Sequence, residues 1–189
     1  MTLKLKIIIG STRPGRVGPK VAAWVNQAAK AHGKFSIELV DLADLNLPLL
    51  DEPSHPAMQK YEHEHTKRWS AIVGEADAFV FVTPEYDFHT PAALINAVQV
   101  LLKEWAYKPA GVVSYGGISG GLRSAQILRS LLGNVGVAAI QQSVPIPFFS
   151  SFINDDGVFT PNDKMDEGMT LMLDELVKWA GALQPLHKG

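Results

Sequence analysis

Short apolar, β-branched runs alternate with longer stretches of helical spacing from one end of the chain to the other. Lys4–Ile9, Phe35–Leu42, Ala78–Thr83, Gly111–Tyr115 and Val137–Val144 read as strands. Most are nearly continuous in apolar character, as strands buried on both faces are. Helical patterns fall at Gly18–His32, Ala57–Glu75, Pro91–Trp105, Gly121–Leu132 and Asp163–Leu183. The last carries Met165, Met169, Met172, Leu173, Leu176, Ala180 and Leu183 at three- and four-residue spacing, a core-facing stripe that makes the methionines packing residues. Five strand-then-helix units in succession predict one three-layer α/β/α domain over residues 1–189, with a parallel sheet and right-handed crossovers. No linker, repeat or low-complexity tract divides it. Five strands fit the doubly wound order 2-1-3-4-5, whose direction reverses between strands 1 and 3, and ligands bind outside the carboxyl ends of the strands at such a reversal. The loops after strands 1, 3 and 4 are therefore expected to flank the functional site.

Composition narrows the chemistry. The chain has 189 residues, 47% hydrophobic and 19% charged, and no cysteine. Disulfides, cysteine-ligated metals and catalytic thiols are thereby excluded, so redox chemistry would require a bound non-protein group. No segment approaches the roughly 18 apolar residues of a membrane span, and the start lacks a signal-type apolar region. A cytoplasmic protein without a membrane or nucleic-acid partner is expected, the net charge being −2. The charge is unevenly spread: residues 1–37 hold Lys4, Lys6, Arg13, Arg16, Lys20, Lys30 and Lys34 and no acid. That end can tolerate an anion.

After strand 1 comes Gly10-Ser11-Thr12-Arg13-Pro14-Gly15-Arg16-Val17-Gly18, opening into a helix. Arg16-Val17 stands where a nucleotide-triphosphate loop needs Lys-Ser/Thr, so no magnesium ligand is present, and GxGxxG is absent. A helix start with hydroxyls, small residues and two arginines suits a terminal phosphate monoester; a solvated N-capping turn is the plainer alternative. Strand 3 runs into Thr83-Pro84-Glu85-Tyr86-Asp87-Phe88-His89-Thr90-Pro91, a proline-restricted loop in which Thr90-Pro91 reads as an N-cap followed by the first helical position. Such a loop can present amides and an aromatic side chain to a flat heterocycle. Strand 4 leads into Tyr115-Gly116-Gly117-Ile118-Ser119-Gly120-Gly121, whose glycines let backbone lie against a ligand. The following helix is expected to aim its N-terminal dipole at that ligand. Gly117, Ser119 and Gly121 also match G-x-S-x-G, with Asp155, Asp156, Asp163 and His187 downstream in hydrolase order. A serine hydrolase is thus the rival reading, although it leaves the arginine loop unexplained.

With these loops in place, the chain resembles the NADPH-dependent FMN reductase family over essentially its whole length. That family is flavodoxin-like and includes quinone, azo-dye and chromate reductases. The resemblance rests on Gly10 to Arg16, Leu47-Pro48-Leu49-Leu50-Asp51, Pro84 to Asp87, Pro91 to Ala97, and Gly120-Gly121 with Arg123. It implies non-covalent FMN, with NAD(P)H as electron donor and ping-pong transfer of two electrons to a small-molecule acceptor. By resemblance, Ser11, Arg13, Arg16 and the amide of Val17 hold the FMN phosphate. Pro84, Glu85, Tyr86 and Asp87 pack on and hydrogen-bond the isoalloxazine, and Tyr115, Gly116, Gly117 and Gly120 line its N1/O2 edge. Two positions depart from the family pattern: Asp87 stands for the usual Asn, and Ile95 for Lys. No side chain is nominated as catalytic acid or base. A flavodoxin-like electron carrier without turnover of its own is a third reading.

Other residues carry weaker signals. His63 and His65 are two apart, a spacing that would project them to opposite sides of a helix, and HExxH is absent, so no metal site is expected. His89 is expected to be an exposed loop residue. The helix Pro91–Trp105 is apolar around more of its circumference than one sheet face covers, which predicts a homodimer, or a tetramer, burying it. Pro145 to Phe152 is an unusually aromatic connection that could cover a cofactor pocket or simply cap the sheet.

Overall fold

The computed structural model describes residues 2–187. Five parallel strands, β1 (Leu3–Ile9), β2 (Phe35–Asp41), β3 (Ala78–Pro84), β4 (Pro109–Tyr115) and β5 (Ala138–Ile146), form one sheet in the order β2-β1-β3-β4-β5. This is the predicted order, with its reversal between β1 and β3. The central strands β3 and β4 are buried at every position, whereas the edge strand β2 is buried only at Phe35 and Val40.

Period-two alternation sends each strand's side chains to two cores. Ile7, Ile9, Val80, Val82 and Val113 face α1 (Gly18–His32) and α6 (Asp163–His187), while Ile8, Phe79, Phe81 and Val112 face α3 (Glu64–Gly74), α4 (Ala92–Gln99) and α5 (Leu122–Asn134). The methionine stripe packs as predicted: Met165, Met169 and Met172 are buried, and Leu183 is half-buried. A Cβ on Gly111 would come within 2.4 Å of the Met172 sulfur, so this glycine lets α6 approach β4.

Two helix boundaries depart furthest from expectation, and one short helix was not expected. The helix predicted over Ala57–Glu75 begins only at Glu64, because Pro56–Met58 forms a tight 3-10 turn closed by Gln59 at φ 51. The Glu52 carboxylate then accepts the amides of Glu62 (2.7 Å) and His63 (3.1 Å), taking up donors near the start of α3. The helix predicted over Pro91–Trp105 ends at Gln99, where the indoles of Trp69 and Trp105 donate to the carbonyls of Ala97 (2.7 Å) and Val98 (3.1 Å). Of its apolar residues, Leu94, Ala97, Val98, Val100, Leu101 and Trp105 are buried in the chain's own core, Ala93, Ile95 and Leu102 are half-buried, and Ala92 is exposed. The short helix α2 (Leu42–Leu45) was not expected, although Asp41 caps it by accepting from the Ala43 amide at 3.0 Å.

Candidate functional site

The loops after β1, β3 and β4 converge at the carboxyl ends of the strands. Between them lies a cleft of about 240 Å³ lined by Arg13, Arg16, Val17, Pro84, Glu85, Tyr86, Tyr115, Gly116, Gly117 and Phe149. A larger hollow of about 400 Å³ bordered by Glu104 and Lys108 sits at the amino end of β4, away from these loops. The strand-end cleft is the site to consider, since the sheet's reversal lies there.

The loop after β1 is pinned by the Gly10 amide, which donates to the Val82 carbonyl at 2.9 Å. It enters α1 through Val17, which has no side-chain cap and whose amide donates to no acceptor among the described residues. Ser11 lies beneath it, completely buried, with its hydroxyl unpartnered. The two arginines separate in role. Arg16 donates to both oxygens of Asp41 at 2.8 and 2.7 Å and to the Ser11 carbonyl at 3.0 Å, bracing the loop against the end of β2. Arg13 has no carboxylate partner among the described residues and lies over the Tyr86 ring at 5.7 Å.

After β3, Tyr86 and His89 exchange backbone hydrogen bonds of 3.0 and 2.8 Å, a two-residue hairpin with Asp87 (φ 47) and Phe88 (φ 68) at its centre. Both central residues of such a turn need positive φ, which Asp and Asn tolerate, so Asp87 can replace the usual Asn in backbone terms. Asp87 is exposed and does not line the cleft. His89 is exposed too. The expected cap moves by one residue: Pro91 is the N-cap of α4, and the buried Thr90 hydroxyl donates instead to the Ser124 carbonyl at 2.7 Å.

Glu85 ties the second loop to the third. Its carboxylate accepts from Arg123 Nε (2.7 Å), the Arg123 amide (3.1 Å) and Ser119 Oγ (3.0 Å). Burial alone would raise the Glu85 carboxyl; the Arg123 and Ser119 hydrogen bonds and the Arg123 charge outweigh it and hold the group below its usual range. The N-terminus of α5 was expected to face a ligand, but its Arg123 amide is taken by Glu85. In the third loop, a Cβ on Gly121 (φ 81) would lie 2.7 Å from the Tyr115 amide nitrogen, and one on Gly120 (φ 60) 2.9 Å from Pro147 N. Gly117, on the cleft wall, has open space where a side chain would stand.

These residues fit a phosphate monoester joined to a flat ring. Orphaned hydroxyls, an unpaired guanidinium and a free helix-start amide lie at one end, and bare glycine backbone lies at the other. The sequence model of the family described as NADPH-dependent FMN reductase matches residues 3–151. The chain belongs to this family. An NAD(P)H-dependent FMN reductase of Schizosaccharomyces pombe is 44% identical over 129 residues, covering 67% of this chain and 64% of that protein. A quinone reductase of Pseudomonas putida is 28% identical over 182 residues, covering 92% of both. Among solved structures, the flavoenzyme NAD(P)H:(acceptor) oxidoreductase of Paracoccus denitrificans shares the fold, with TM-score 0.73 and 21% identity, covering 95% of this chain and 98% of that one.

Every residue that lines the cleft of this FMN reductase family member was nominated from its sequence except Phe149. Ser11 lies beneath the surface, and Asp87 and Gly120 stand outside the lining. Phe149 belongs to the aromatic connection singled out above and meets Tyr115 edge-on at 5.5 Å, so that connection forms one wall of the cleft within the same chain. Among the described residues the hydrolase constellation does not assemble. Ser119 donates to Glu85, no described histidine is hydrogen-bonded to it, and the His187 side chain lies outside the described residues. His63 is the N-cap of α3 rather than part of its face, so the rings of His63 and His65 stack at 5.2 Å instead of diverging.

Proposed function

We propose that this chain is an FMN-dependent NAD(P)H oxidoreductase that carries two electrons from NAD(P)H to a small-molecule acceptor by ping-pong exchange, donor and acceptor taking turns at one opening. The observation that carries the reading is the pairing of unpartnered hydroxyls and an unpaired arginine at the start of α1 with the glycine-walled cleft beside them. Ser11, Arg13 and the Val17 amide would hold the phosphate, with Arg16 bracing their loop from Asp41. Pro84 to Asp87 would orient the ring system, and Gly116, Gly117 and Gly120 would let it lie against backbone. Bound FMN supplies hydride acceptance from the nicotinamide and onward electron transfer, and the protein supplies orientation and electrostatics. The Glu85 carboxylate, held ionised, fixes the loop after β4 in place.

A shallow, open cleft suits acceptors that need no enclosing pocket: quinones, azo compounds, free flavin and metal oxyanions. The relationship to a Pseudomonas putida quinone reductase puts quinones first. We also propose a cytoplasmic homodimer or tetramer, supported by apolar residues exposed on the described chain, among them Leu49, Met58, Phe88 and Ile118. Titration of the purified protein with FMN, followed by anaerobic addition of NADPH and then a quinone, tests the reading. Uptake of one flavin per chain, bleaching by NADPH and recolouring by quinone are expected. A protein that takes up no FMN, or whose bound FMN is not bleached, refutes it.

A further inference from the structure

Two buried hydroxyls in the site have no hydrogen-bond partner: Ser11 Oγ, from the loop after β1, and Tyr115 Oη, from the end of β4. Buried polar groups are almost always satisfied, so a pair of orphans in one place asks for a reason. They are in one place. A Cβ on Gly18, the first residue of α1, would stand 2.3 Å from Ser11 Oγ and 3.1 Å from Tyr115 Oη, so both hydroxyls crowd the same helix start.

Besides lining the cleft, Tyr115 carries its hydroxyl toward the start of α1. Its backbone carbonyl accepts the Glu85 amide at 3.1 Å, and its ring is braced edge-on by Phe149. The phenol end reaches back across the sheet to the arginine loop. Burial pushes Tyr115 up to about 12, with the Ser11 hydroxyl and the Arg16 and Arg13 guanidiniums pulling the other way. At neutral pH the phenol therefore keeps its proton and can act as a donor.

We propose that Tyr115 is a positioning residue for the FMN phosphate: when the phosphate is bound at the start of α1, the Tyr115 hydroxyl turns to donate to the neighbouring Ser11 Oγ, which directs the single Ser11 proton outward to a phosphate oxygen. A serine hydroxyl accepts and donates at once, so a fixed donor behind it selects the direction of its own proton. The inference rests on the FMN reading above and assigns Tyr115 to the phosphate end of the ligand, although its ring also lines the cleft.

The test is a fluorescence titration of the apo-protein with FMN and with riboflavin, which lacks the phosphate, for wild type, Tyr115→Phe, Ser11→Ala and the double variant. Loss of one hydrogen bond directed toward a charged group should weaken FMN binding about 5–30-fold in Tyr115→Phe. Riboflavin affinity should stay within about twofold, and Tyr115→Phe should cost nothing further in the Ser11→Ala background. Equal weakening of both ligands would place Tyr115 at the ring, and undiminished FMN affinity or additive losses in the FMN cycle would sink the relay. Failure of the wild type to bind FMN would instead refute the functional reading itself.

Discussion

Gly121 and Gly117 stand four residues apart in the same glycine-rich loop, and the structure assigns them opposite sensitivities. Gly121 has φ 81, and a Cβ there would lie 2.7 Å from the Tyr115 nitrogen, 2.8 Å from its oxygen and 2.9 Å from Ser114 Cβ. Two of these are backbone atoms of a central strand that cannot retreat. Gly121→Ala therefore incurs about 1–2 kcal/mol for a left-handed backbone and roughly 1–3 kcal/mol for overpacking. The sum, about 2–5 kcal/mol, should lower the melting temperature of a domain this size by roughly 10 °C. At Gly117 a Cβ meets nothing within 4 Å. Gly117→Ala should leave the urea midpoint of the apo-protein unchanged but crowd the cleft wall and weaken FMN binding. Urea unfolding and FMN titration of both variants give the comparison. A Gly121→Ala protein within about 0.5 kcal/mol of wild type would refute the steric argument, and a Gly117→Ala protein with full FMN affinity would refute the placement of the ring against this wall.

Asp41→Asn should lower apo-protein stability by about 1–3 kcal/mol, because it strips the counter-charge from the part-buried Arg16 fork. Asn still caps α2, so an unchanged melting curve would mean the ion pair contributes nothing. The buried Lys108, whose ammonium donates to the carbonyls of Val73 and Gly74, makes stability pH-dependent. Burial lowers it to about 8, below its ordinary 10.5, so between these values the unfolded chain holds a proton that the folded chain has released, and stability rises with pH. The rise is at most about 3 kcal/mol, is absent in Lys108→Met, and reverses above pH ~10, where Tyr61 and Tyr115, both raised, keep protons that the unfolded chain loses. A urea midpoint that stays flat from about pH 8 to 10 would contradict the burial of Lys108.

How much of this was legible in the chain depends on how local the cause is. Strand order and the three site loops follow from hydrophobic periodicity and from glycine and proline positions, which act within a few residues. The helix ends at Gln99 and Glu64 do not, since they are set where the Trp69 indole, 28 positions away, and the Trp105 indole and Glu52 carboxylate, 7 to 11 positions away, reach backbone groups. Charge shows the same limit. The first 37 residues carry seven basic side chains and no acid, which pointed to an anion site, yet the fold brings acids to three of them, Arg16 in the site loop included. Lys4 meets Glu75, Lys6 meets Glu38 and Glu75, and Arg16 meets Asp41. Lys30 and Lys34 are exposed, and Lys20 lies beside Gly157. Arg13 is left as the cleft's guanidinium without a carboxylate. If that cancellation is real, FMN affinity should depend far more on Arg13 than on the seven-residue excess of positive charge. Arg13→Gln should then weaken FMN binding about tenfold or more while sparing riboflavin, and neutralising Lys30 and Lys34 together should change neither. A comparable loss from the two lysines would mean that the anion is drawn by the field of the whole basic segment rather than by one unpaired side chain.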